Sequence, residues 1–133
     1  MKLGIFAVLL LALGCSRESQ LTDSQWVFEQ IIAQDSLFSV DSPDAKVVLD
    51  FSRDGSVIGY GGCNNFFGTY TLEGRDKFKI ELSGMTMSMC EFQDFEDIYL
   101  RLLVNSSTYT IINNELSLND TQTLSCLRYK KMD

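Results

Sequence analysis

The order of apolar and polar positions divides the chain into a run of short strands broken once by a helix. Trp26-Val27-Phe28-Glu29-Gln30-Ile31-Ile32 is aromatic and β-branched and predicts a first strand. Gln34 to Asp44 is polar, with Leu37, Phe38 and Pro43 inside it. It reads as a long loop with one apolar anchor, or as a short edge strand. Lys46 to Phe51 and Ser56 to Tyr60 are two strands around Arg53-Asp54-Gly55, where Asp-Gly supplies the positive φ of a tight hairpin. Gly61-Gly62-Cys63-Asn64-Asn65 is a dense turn, followed by strands at Phe66 to Leu72 and Lys77 to Leu82. Phe78, Ile80 and Leu82 alternate cleanly, as on a half-buried sheet, and Met85, Met87 and Met89 continue the alternation.

The period then changes. Phe95, Ile98, Tyr99, Leu102 and Leu103 fall at i, i+3, i+4, i+7 and i+8, one apolar stripe of a helix over Gln93 to Val104. Asp94, Glu96 and Asp97 crowd its first turn, where the macrodipole favours acid, so they read as a helix start. Strands at Thr108–Ile112, Leu116–Leu118 and Thr123–Tyr129 follow, turned by Asn113-Asn114 and Asn119-Asp120. One helix within a series of hairpins predicts an α+β domain with a mostly antiparallel sheet.

The first fourteen residues stand apart. After Lys2, an uncharged apolar run reaches Gly14, too short to span a bilayer and shaped like a secretory signal. Cys15 after Ala12-Leu13-Gly14 resembles the acylated cysteine of a bacterial lipoprotein, although the position three before it is Ala rather than Leu. An ordinary secretory signal with a structural Cys15 is the alternative. Residues 15–25 are polar and small and read as a tether between lipid and domain, with the folded domain at 26–130. The protein is then exported and lipid-anchored in the cell envelope, with the outer membrane as the expected site.

Composition narrows the chemistry. The chain of 133 residues has 11 Lys+Arg, 18 Asp+Glu and no His, a net charge of −7. Without a basic stripe, nucleic acid is excluded as an expected partner. Without His, Ser-His-Asp and Cys-His nucleophiles and the common zinc sites are absent, so the expectation is no enzyme, no cofactor and no metal. The thioethers of Met85, Met87 and Met89 are soft Cu(I) ligands in principle, but core filler is the simpler reading. With Cys15 set aside, three thiols allow one bridge. Cys63 in a turn and Cys90 at a strand–helix junction are the favoured pair, with Cys126 buried and free; three reduced thiols are the alternative.

Asp54-Gly55-x-Val57-x-Gly59, followed by Gly62-Cys63-Asn64-Asn65-Phe66-Phe67-Gly68-Thr69-Tyr70, resembles the central motif of the META domain (HslJ-like) family. Thr86-x-x-x-Cys90 with Glu96-x-x-Tyr99-x-x-x-Leu103 resembles its second block. Tyr109-x-Ile111 and Leu116-x-Leu118 resemble its closing hairpin, and Trp26 its opening strand. Ser88 departs from the Met of many relatives. The resemblance implies a sheet curled into a partly open barrel around one helix, and a bacterial envelope setting linked to stress tolerance, with no established enzymatic activity. It implies a structural role for Gly62, Cys63, Asn64, Gly68 and Tyr70, which build a turn and its disulfide. Protein binding is the first expectation for function. A lipid-like ligand in a cavity lined by Phe66, Phe78, Met87 and Phe95 is the second. An inhibitor of an exported hydrolase, presenting the 34–44 loop, is a third.

Overall fold

The computed structural model describes residues 17–22, 24–33, 39–41 and 46–132. The elements run α1 (Arg17–Thr22), β1 (Gln25–Ala33), β2 (Ser39–Asp41), β3 (Val48–Phe51), β4 (Ser56–Tyr60), β5 (Asn65–Glu73), β6 (Lys77–Met85), α2 (Gln93–Asn105), β7 (Thr108–Ile112), β8 (Glu115–Asp120) and β9 (Ser125–Lys131). The signal segment and Cys15 lie outside the described residues. So do residues 34–38 and 42–44 of the long polar stretch, whose middle forms the edge strand β2.

The sheet is antiparallel throughout. Eight strands follow one another from β1 through β3 to β9, and β9 pairs back with β1. The result is a ring of eight strands, with β2 paired to the outer part of β1. It is not a regular barrel, because β6 and β7 share one register pair, Lys77 with Thr108. The curled sheet and single long helix expected from the sequence are therefore both present. Among the described residues no helix is long and apolar enough to cross a membrane.

Turn chemistry explains the hairpins. Gly55 takes φ +89° between β3 and β4, and Asn113 and Asn114 take φ +52° and +63° between β7 and β8. Two consecutive left-handed residues make the tight turn whose twist matches the flanking strands. Gly68 lies where the β5–β6 register slips by one residue, and a Cβ there would run into the carbonyl of Glu81. Only glycine allows the two strands that approach.

Aromatic rings fill the interior. Phe28 meets Phe95, Tyr99 and Tyr129 at 5.3–5.7 Å between centroids, and Phe51 meets Tyr70 and Phe78 at 5.0 and 6.0 Å. The hydroxyls of Tyr99 and Tyr129 lie 2.7 Å apart, both side chains fully buried. Burial pushes both phenols well above their ordinary value near 10. A raised folded-state value means this stability is present below pH ~10 and is lost as pH climbs past it. We expect a tyrosinate absorbance titration of the native protein to show Tyr99 and Tyr129 ionising only on alkaline unfolding. Ionisation of Tyr99 or Tyr129 in the folded state would contradict this burial.

Three sequence expectations are corrected. The segment expected as a tether contains α1, and Leu21 within it is fully buried; its carbonyl accepts the indole N–H of Trp26 at 2.9 Å. Leu21 thereby joins the hydrophobic core. The last strand is out of phase by one residue. Leu124 sits in a turn at φ +57° and is exposed, the inward residues are Leu127 and Tyr129, and Cys126 is a half-buried free thiol rather than a core residue. The methionine alternation stops with β6, so Met87 and Met89 stand 88% and 89% exposed on the following loop.

Candidate functional site

The polar centre of the molecule is the turn at residues 61–64. Two features let it form. Gly62 adopts φ +114°, and Gly61 carries no side chain where a Cβ would come within 2.9 Å of Glu96 Oε2. With that approach open, the successive backbone N–H groups of Cys63 and Asn64 both donate to Glu96 Oε2, each at 2.7 Å. Consecutive N–H groups converging on one point form an anion-binding nest. Here the chain fills the nest with its own carboxyl group, delivered from the first turns of α2.

Asn64 ties a third segment to the same point. Its Nδ2 donates to Glu96 Oε1 at 2.7 Å and to the Ser88 carbonyl at 2.9 Å. Its Oδ1 accepts from Thr86 Oγ1 at 2.9 Å and from the Ser88 N–H at 2.6 Å. All four hydrogen-bonding positions of the side-chain amide are thus used, as a buried amide requires. The Ser88 contacts are made by its backbone carbonyl and N–H, so they do not depend on its side chain. Cys63 and Cys90 are joined by a disulfide, with Cα atoms 5.6 Å apart. The bridge and Asn64 together clasp both ends of the loop that carries Met87 and Met89.

Of the motif residues, Gly62, Cys63 and Asn64 stand at the turn and its bridge. Gly68 and Tyr70 stand outside it: Gly68 allows the β5–β6 slip, and Tyr70 donates from its hydroxyl to the Ser52 carbonyl at 2.7 Å, bracing the β3–β4 turn. Glu96 is the residue whose role the sequence reading missed. Its place beside Asp94 and Asp97 predicts a helix start, yet it is fully buried while Asp94 and Asp97 are exposed. The buried face of α2 is Glu96, Tyr99 and Leu103, rotated from the stripe that included Ile98. The signal was available, because Glu96 is spaced i, i+3, i+7 with two apolar residues of that face.

The four residues expected to line an interior cavity do not come together as one. Phe66 and Phe78 are buried in the core, Phe95 stacks on Tyr99 at 5.9 Å, and Met87 points to solvent. A groove of about 540 Å³ lies instead on the outer surface of β3, β4 and β5. Ile58 and Phe67 stand side by side there by register, 56% and 55% exposed, with Asp50 next in the row and Met85 at the end of β6.

Comparison with known proteins agrees with this architecture. The family model described as META domain matches residues 19–133. An NMR structure of a protein from Burkholderia xenovorans is similar with a TM-score of 0.72 at 21% identity, covering 86% of each chain. A crystal structure of a DUF4847 family protein from Bacteroides vulgatus is similar with a TM-score of 0.67 at 16% identity, covering 88% of this chain and 99% of that one. At such identities the likeness is one of fold. No curated protein matches the sequence.

Proposed function

We propose, from the premise that this chain belongs to the META domain family, that it is a non-enzymatic lipoprotein of the bacterial cell envelope that acts through a protein partner in envelope stress or assembly. The observation that carries this reading is the clasped loop. Met87 and Met89 are almost fully exposed, yet the loop bearing them is fixed by the disulfide and by Asn64. Flexible thioether side chains on a fixed backbone suit contact with another protein surface. The case against catalysis rests on the chain having no His and on the buried carboxyl of Glu96 being fully engaged by three N–H donors. The signal-like segment and Cys15 support attachment to the membrane, with the outer membrane as the proposed site; several acyl chains at ~0.8 kcal/mol per buried CH₂ anchor without a basic patch.

A photo-activated crosslinker placed at residue 87, 89 or 112 of the full chain in its native cells tests this reading. Ile112 is 65% exposed and lies away from the clasp, so it is the control. Crosslinks from 87 and 89 to one common protein, several-fold stronger than from 112, are expected; equal yields from all three contradict the partner reading. Cys15→Ser is expected to move the protein out of the membrane fraction, and retention there contradicts the anchor.

A second reading, a carrier of a small hydrophobic ligand, is supported by the outer groove rather than by the interior of the ring. Its size lies within the ~300–1,000 Å³ typical of small-molecule sites.

A further inference from the structure

Resting on that second reading, we propose that the outer groove takes a small amphiphilic cation, an aryl or alkyl body carrying an ammonium group. The register builds its two halves. Asp50 opposes Ile58, and Ile58 opposes Phe67, so a carboxylate, an aliphatic and an aromatic side chain form one outward row. Tyr60 and Asn65 face each other in the next row. Asp50 is the one charged residue lining the groove, and no ion pair or side-chain hydrogen bond engages its carboxylate among the described residues. An anionic ligand would meet this carboxylate with no cation to offset it. A wholly apolar ligand would leave the carboxylate facing hydrocarbon, which costs free energy unless the charge is compensated. An ammonium group satisfies it, and the aromatic faces of Tyr60 and Phe67 add a quadrupole attraction for the same charge.

Two further features favour this occupant. Phe67 packs across a glycine: a Cβ at Gly84 would come within 2.8 Å of its ring, so glycine leaves room for the ring that forms the apolar wall. The net charge of −7 also draws cations to the surface and repels anions.

Three probes with one body and different heads test the proposal: 3-phenylpropylammonium, 3-phenylpropanol and 3-phenylpropanoate, titrated into the full-length protein and followed by methyl NMR. The ammonium is expected to saturate the Ile58 and Met85 signals with an affinity at least about fivefold above the alcohol, and the propanoate to show no saturable shift. Asp50→Asn keeps the size of the side chain and is expected to bring ammonium and alcohol to equal affinity, with the alcohol unchanged. Phe67→Ser is expected to abolish both. Equal binding of ammonium and alcohol to the wild type, or a preference that survives Asp50→Asn, overturns the cation inference and leaves the hydrophobic-ligand reading standing. No saturable binding of any probe overturns both.

Discussion

Replacing Glu96 with alanine is expected to lower stability by ~3–5 kcal/mol, a large share of the ~5–15 kcal/mol that holds a domain of this size together. The side chain is fully buried and accepts three N–H bonds, two from the backbone of Cys63 and Asn64 and one from the Asn64 amide. Alanine leaves those donors without an acceptor, and each unsatisfied buried group costs ~1–3 kcal/mol. It also opens a void between α2 and the turn. Glu96→Gln keeps the shape and one acceptor oxygen but turns an N–H₂ toward N–H donors, so its loss is expected to fall between wild type and alanine. Urea denaturation of the disulfide-intact protein measures both. A loss below ~1 kcal/mol for alanine would mean that the nest does not depend on this carboxyl.

Trp26→Ala is expected to cost a similar amount, ~3–5 kcal/mol, by a different route. The indole is 1% exposed at the start of β1, where Trp26 is paired with Leu49 on β3 and with Lys131 on β9. Its N–H also holds the Leu21 carbonyl, so truncation cuts α1 from the ring as well as emptying the core. Amide exchange should separate the two effects. In Trp26→Phe, most of the apolar volume remains, and the faster exchange is expected to be confined to residues 17–22. In Trp26→Ala it is expected to spread into β1, β3 and β9. Unchanged protection of residues 17–22 in both variants would show that α1 is held by something other than Trp26.

Much of this fold was legible because its hairpins are specified locally. Gly55, Asn113 and Asn114 are residues that accept positive φ, and the structure uses them there. The helix was legible from its period, and the Cys63–Cys90 bridge from the placement of two cysteines in irregular backbone. What escaped the reading has one physical cause, which is that side-chain period gives spacing but not phase. Leu124 falls within the strand expected over Thr123–Tyr129 and instead takes a left-handed turn. Glu96 looked like an exposed acid and instead faces the core, because a nest of N–H groups waits there for an acceptor. Met87 and Met89 kept the alternation of β6 after the strand had ended, so they resembled core residues while standing in solvent. The outer groove was invisible for a related reason: Asp50, Ile58 and Phe67 are distant in sequence and become a row only through strand register.

The central claim is that Asn64 and Glu96 act as one unit that clasps the turn, the helix and the methionine-bearing loop. A double-mutant cycle between Asn64→Ala and Glu96→Ala tests it most directly, with stability read by urea denaturation under oxidising conditions. Independent sites add to within ~0.3–0.5 kcal/mol, whereas members of one network couple by up to ~3 kcal/mol. The clasp predicts strong coupling, of ~1.5 kcal/mol or more, because the first substitution already releases what the second would release. Additive losses within ~0.5 kcal/mol would contradict it.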